Sequence, residues 1–182
     1  MSVPLLLKFQ QVPLSQENLH QFIENGKYDL CITTERIEHN NIEWLPLYTE
    51  DIYLTVPKYF SEAKKDSVNL TELDENIPFI GLTNQYSFRQ LTDNILQATG
   101  FSPYYQVEVE EATAILQLVK KGHGVAFTPE TSMNIYDHQV KHLKIENKDF
   151  TRTIGLLKHK YMYPTKISQA FIKKSQAYFD NL

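Results

Sequence analysis

The sequence predicts an α/β fold made of two small lobes, with the chain crossing between them twice. Three observations carry this reading. Short apolar runs alternate with amphipathic stretches of helical period along most of the 182 residues. The alternation breaks near residues 57–70 and again near 146–150. The length fits one domain or two small ones, at roughly 150 residues per domain, and such a chain buries about 70% of its unfolded surface without staples.

Leu5–Phe9 is a short apolar run closed by polar residues and reads as a strand. Ser15 follows as a helix N-cap, Leu19, Phe22 and Ile23 fall on one helical face, and Gly26 is a stop. Tyr28–Thr33 reads as a buried strand, which completes a strand–helix–strand unit and predicts a parallel sheet there. Ile42–Leu47 and Asp51–Val56 are two extended segments. Pro46 demotes the first to an edge or bulged strand, and Pro57 closes the second. Residues 58–69 are charged, lack Gly/Ser character, and read as a surface crossing.

Ile77–Leu82 opens the second lobe as a strand. The polar turn Thr83-Asn84-Gln85 leads into a helix whose Phe88, Leu91, Ile95 and Leu96 share a face and which Gly100 stops. Tyr105–Val109 alternates as a half-buried strand. Glu111 starts a helix carrying Ile115, Leu116, Leu118 and Val119, stopped by Gly122. Val125–Phe127 is a short buried strand, and Pro129 suits a first helical position. Val140–Ile145 and Thr153–Leu157 are late strands. A last helix starts near Thr165 with Ile167, Phe171 and Tyr178 facing inward. The first lobe is therefore read as residues 1–57 with 147–182, and the second as 58–146.

Composition narrows the function. Hydrophobic residues make up 42% and charged residues 22%, ordinary for a globular chain. Eighteen Lys and Arg against 22 Asp and Glu give a net charge of −4, and no Lys/Arg run exceeds two residues. Nucleic-acid affinity rests on clustered cations, so this chain is not expected to grip DNA or RNA by itself. The single cysteine, Cys31, excludes an internal disulfide, a CxxC pair and a thiolate zinc site, and fits a reducing compartment. Val3–Leu7 is too short for a membrane span or a signal-peptide core. The expectation is a cytoplasmic protein without a membrane anchor.

Few motifs carry chemistry. There is no Walker A, HExxH or GxSxG sequence. Gly122-His123-Gly124 follows a helix and precedes a strand, the reverse of a pyrophosphate fingerprint. His138 and His142 are four apart, but their segment reads as loop into strand and lacks a third ligand, so no metal is expected. Cys31 reads as a small core hydrophobe. Asn69-Leu70-Thr71 matches a glycosylation acceptor, which means nothing without secretion. Glu108, Glu110 and Glu111 suit acid–base work less well than they suit the positive end of a helix dipole.

Position says more. In parallel α/β sheets, ligands bind beyond the carboxyl ends of the strands. Four such ends carry small polar groups: Thr33-Thr34-Glu35, Thr83 to Ser87, Glu111-Ala112-Thr113, and Thr128. Two lead directly into helices, whose unpaired N–H groups attract anions. These residues also serve as turn formers and caps, but their agreement across several strand ends points to a site for a small polar molecule, with no cofactor.

The order of segments also resembles a known family. Asn25-Gly26-Lys27-Tyr28-Asp29-Leu30-Cys31-Ile32 is similar to the G-x-x-D-hydrophobic-A-I signature of LysR-type transcriptional regulators. Leu45-Pro46-Leu47 and Asp51 to Pro57 resemble its "PL" and "V-x-P" segments. Ile77 to Ile80, Ser87-Phe88-Arg89 and Gly100 to Pro103 resemble its second-lobe opening. Ala114 to Pro129, through Val119-Lys120-Lys121-Gly122-His123-Gly124, is the closest match. The resemblance spans about residues 5–180. It implies an effector-binding domain of two Rossmann-like lobes, similar to type 2 periplasmic binding proteins, with a small metabolite between the lobes. It places ligand contacts at Thr33 and Thr34 in the first lobe, and at Thr83, Asn84, Gln85, Ser87 and Thr128 in the second. It also implies a homodimer or higher homo-oligomer that reaches DNA only through a winged helix-turn-helix, which this chain lacks. The strand and helix that normally open the family's first lobe have no counterpart here.

The leading expectation is therefore a non-enzymatic sensor of a small metabolite, carboxylate-bearing ones included. A small-acid enzyme on the same scaffold would need Glu35, Glu110, Glu111 or His123 to converge. A transporter's solute-binding protein would need a signal or lipid anchor, of which the sequence shows none.

Overall fold

The chain's longest strand begins in one unit and ends in another. The computed structural model describes residues 8, 25–34, 36, 39–133, 137–146 and 150–181. The chain divides into residues 1–49 with 153–182, and residues 50–152. The strand read at Leu5 and the helix read from Ser15 lie outside the described residues, as does Glu35. Gly26 is described, and its φ of 55° is the left-handed geometry of a helix stop.

In the first unit, β1 (Leu30–Thr33) pairs antiparallel with the second part of β8 (Thr151–His159). The parallel neighbour expected of β1 falls on undescribed residues. Leu157 and Ile42 form a small core with Tyr28, Cys31 and Trp44 packed against it. Gly155 lets the Trp44 ring lie flat on β8: a Cβ there would meet the ring at 2.4 Å. Helix α3 (Lys166–Phe179) closes this unit. Its N-cap is Thr165, whose Oγ1 accepts from the Ser168 amide at 3.1 Å. Phe179 stacks on Tyr48, ring centres 5.5 Å apart. Tyr178 does not face inward as its spacing suggested; it is 64% exposed, and Ile167, Ser168, Phe171 and Phe179 take the inner face instead.

Strand β2 (Ile42–Pro57) is one 16-residue strand, not two segments. Pro46 is tolerated because it is solvent-exposed, and the pairing of β2 with β6 (Ala126–Pro129) and β7 (Val140–Ile145) begins only at Ile52. The unit boundaries at 49/50 and 152/153 therefore fall inside β2 and β8, not at the ends of strands near 57 and 147. Residues 58–69 hold a 3-10 turn at Ser61–Lys64 and a two-residue strand, β3 (Ser67–Val68).

The second unit is wound on both faces of its strands. β4 (Pro78–Leu82) pairs in parallel with β5 (Tyr104–Val109), and Phe79 bridges Val125 in parallel. β6 (Ala126–Pro129) and β7 (Val140–Ile145) both run antiparallel to β2, and β3 runs parallel to β7. Alternation sorts the core into two clusters. Ile52, Leu54, Val56, Phe79, Phe127 and Leu143 pack on one side with Leu96 of α1 (Ser87–Thr99). Ile80, Leu82 and Ala126 face the other side, with Ile115 and Val119 of α2 (Ala112–Lys120). Each fully buried Leu, Ile, Val or Phe contributes about 1.5–3 kcal/mol.

Gly124 makes this winding possible. Its φ is 154°, and a Cβ would sit 2.3 Å from the Pro78 carbonyl oxygen. That close approach allows Val125 to donate to Pro78 O at 2.9 Å and Ile80 to donate to Val125 O at 2.8 Å. Pro129 ends β6 and precedes a 3-10 turn at Glu130–Ser132; it is not the first residue of an α-helix.

Candidate functional site

Strands β4, β5 and β6 run the same way, so their carboxyl ends share one edge of the second unit. The Thr83 amide donates to Val109 O at 3.0 Å, joining the ends of β4 and β5. Beyond β4 the chain turns through Thr83, Asn84, Gln85 and Tyr86 into α1. The Tyr86 amide donates to Thr83 O, and Gln90 Nε2 donates to Asn84 O at 2.8 Å. Beyond β5 it turns through Glu110 and Glu111 into α2.

Neither helix is closed by the side chain of its N-cap residue. The N-cap of α1 is Tyr86 and that of α2 is Glu111, and neither makes a side-chain cap bond. This contrasts with α3, which Thr165 caps. Two sets of first-turn amides at one edge favour an anion. Thr83 Oγ1 is buried there without a hydrogen-bond partner among the described residues. A buried hydroxyl left unpaired costs free energy that a ligand can recover.

The structure brings Thr83, Asn84, Gln85, Ser87 and Thr128 to this one edge. Asn84 and Gln85 are exposed, Ser87 is the first residue of α1, and Thr128 is buried in β6. Thr33 and Thr34 belong to the other unit, at the end of β1, where Thr33 is buried.

Thr128 is already engaged. Its Oγ1 lies 2.5 Å from Thr55 Oγ1, which in turn lies 2.8 Å from His142 Nδ1. Three elements distant in sequence meet here, so Thr55 did not stand out from local pattern, and His142 did so only through its spacing from His138. Glu50 and Arg152 were also missed. Glu50 is buried; its Oε1 accepts from Arg152 Nε at 2.6 Å and its Oε2 from the Thr131 amide at 2.7 Å. Arg152 also lies 5.2 Å from the Phe88 ring, in the first turn of α1. A carboxylate inside the polar run Thr49-Glu50-Asp51 and one of only three arginines were the available signals.

The other chemistry-bearing residues have structural surroundings. Glu108 lies in β5 and accepts from Arg89 at 2.6 Å, while Glu110 and Glu111 precede α2 and are exposed. None of the three is in the first turn of that helix, where the dipole reading put them. Burial pushes the Cys31 thiol up, away from the reactive thiolate. His138 is exposed while His142 is in β7, so they share no helix face. Among the described residues no three His, Cys, Asp or Glu side chains form a metal-sized group, and no helix is long and apolar enough to cross a membrane.

Comparison with known proteins gives a consistent result. The family model for the LysR substrate binding domain matches residues 7–180. The chain is 24% identical over 149 residues to an uncharacterized HTH-type transcriptional regulator, YybE, of Bacillus subtilis, covering 82% of this chain and 50% of that protein. It spans about half the length of the curated relatives it matches. The effector binding domain of QuiR in complex with shikimate superposes with a TM-score of 0.77 at 26% identity, over 92% of this chain and 79% of that one. The regulatory domain of CcmR of Synechocystis PCC6803, in complex with 2-PG, superposes with a TM-score of 0.78 at 18% identity, over 91% and 80%.

Proposed function

Since the chain belongs to the LysR substrate binding domain family, we propose that it is the effector-binding, regulatory part of a longer transcription regulator. Its effector is a small metabolite bearing a carboxylate or similar anion. The observation that carries this is the edge of the second unit, where two helices without side-chain caps start beside the buried, unpartnered Thr83 hydroxyl. Backbone amides and hydroxyls hold an oxygen-rich anion without needing a full positive charge. The shikimate of the QuiR complex is itself a hydroxylated carboxylic acid.

Thr83, Asn84, Gln85, Ser87 and Thr128 supply the second unit's contacts. The domain acts without catalysis: Glu110, Glu111 and His123 are exposed to solvent. In the whole regulator it works as a homodimer or higher oligomer in the cytoplasm, and a separate domain contacts DNA.

A thermal-shift series tests this directly. Shikimate and a panel of small carboxylates, amino acids and aromatic acids are titrated against the chain. A ligand that binds only the folded state raises stability by about 2.7 kcal/mol at one hundred times its dissociation constant. Thr83→Ala and Ser87→Ala should reduce that shift with little change in the unliganded melting temperature. Ligand shifts that survive both substitutions would place the site elsewhere.

A further inference from the structure

Thr128 ends a hydrogen-bonded chain that crosses three strands. On β2, Thr55 pairs with Ala126 of β6 on one side and His142 of β7 on the other. Thr55 is fully buried, and its Oγ1 has two neighbours, Thr128 Oγ1 at 2.5 Å and His142 Nδ1 at 2.8 Å. A threonine hydroxyl has one hydrogen. Its oxygen could accept from both, but Thr55 is fully buried and these are its side-chain partners among the described residues, so its own hydrogen would then be stranded. Donating to one neighbour and accepting from the other avoids that cost and gives the chain a direction.

His142 sets that direction. Its Nε2 is buried without a partner among the described residues. A proton on Nε2 would be an orphaned buried N–H. A proton on Nδ1 is accepted by Thr55 and leaves only a lone pair orphaned, the more common of the two exceptions in folded proteins. Asp137, in the turn before β7, is the acidic group near the ring, and it is ion-paired at 2.5 Å with Lys120 at the end of α2. Tyr53 of β2 and Lys144 of β7 lie on the same sheet face, and Lys144 is paired with Asp51. Burial pushes the His142 imidazole below its ordinary range against the pull of Asp137. The ring is thus neutral and holds a single proton.

We propose that His142, protonated on Nδ1, drives a one-way relay through Thr55 that leaves the Thr128 hydroxyl hydrogen free to be donated at the ligand edge. This rests on the assignment of Thr128 to the effector site above, and it specifies what that site selects. Nδ1–H donates to Thr55, and the Thr55 hydroxyl donates to Thr128. Among the described residues the Thr128 hydrogen then has no inward acceptor, and it is offered outward. The site prefers an acceptor such as a carboxylate and rejects an amide or amine presenting hydrogens at that point. His142 is a positioning residue: it fixes specificity without touching the effector.

Two measurements on the full chain test this. Long-range proton–nitrogen spectra of protein labelled with 15N-histidine report the His142 tautomer. The expected form is Nδ1–H, with Thr55→Val, an isosteric change, weakening that preference. An Nε2–H ring in the wild type, or a tautomer indifferent to Thr55→Val, overturns the relay. Calorimetry then compares shikimate with its neutral carboxamide. Thr55→Val should weaken shikimate by about tenfold, the scale of one hydrogen bond to a charged group, and leave carboxamide affinity unchanged or improved. Equal losses for both ligands would mean a merely structural role and overturn the proposal. If shikimate gives no heat with the wild type, a shikimate-like effector is excluded, and the relay stands or falls on the tautomer alone.

Discussion

Glu50 shows how much a single side chain can hold in place. Its carboxylate has no exposed surface and is satisfied from two directions, by Arg152 and by the Thr131 amide. Removing one member of such a pair leaves the other charge buried. Arg152→Ala should therefore cost about 3–5 kcal/mol in urea unfolding. Glu50→Gln, which keeps the shape and one acceptor, should cost clearly less; the reverse order would mean that the Glu50 carboxylate does not depend on Arg152 for its compensation. His142 makes the stability pH-dependent with a definite sign. Its folded pKa is depressed by burial, so the native state binds fewer protons than the unfolded chain. Stability is full above the unfolded histidine value of about 6.5 and falls as pH drops below it toward the folded value. His142→Gln should flatten that acid limb in melting curves taken across the range.

At the scale of elements, helix ends separate scaffold from site. α3 is closed by Thr165, and Thr165→Ala should lower the unfolding free energy by about 1 kcal/mol without altering ligand shifts. α1 and α2 have no such closure. α1 is instead anchored along its flank. Arg89 binds Asp93 one turn on, donates to Leu82 O at 2.9 Å and to Glu108 at 2.6 Å, and lies 3.5 Å over the Tyr105 ring. The helix is held by its side, while its N-cap residue makes no side-chain bond.

For the whole molecule, local signals and long-range pairing divide the explanation. The order β4–α1–β5–α2–β6 was legible because each part is encoded nearby: apolar faces at helical spacing, Gly100 and Gly122 at positive φ as stops, and short buried runs between. The polar strand ends were legible for the same reason, since the turn residues that form them are adjacent in sequence. The split of β2 into two strands was misread because Pro46 is a local breaker whose tolerance depends on which strand lies beside it. Tyr178 was misplaced because one residue of helical phase decides between the inner face and solvent.

The sequence by itself determined the family, the order of elements in the second unit, and the polar edge at which Thr83 to Ser87 and Thr128 gather. Tertiary structure alone decided that Glu50 meets Arg152 across 102 residues, and that Thr55 meets Thr128 and His142 across 73 and 87. Such partners leave no periodic trace, because strand pairing sets their distance while sequence spacing does not. The threonines at a strand end can be read along the chain, whereas the side chains they meet are decided only once three strands lie side by side.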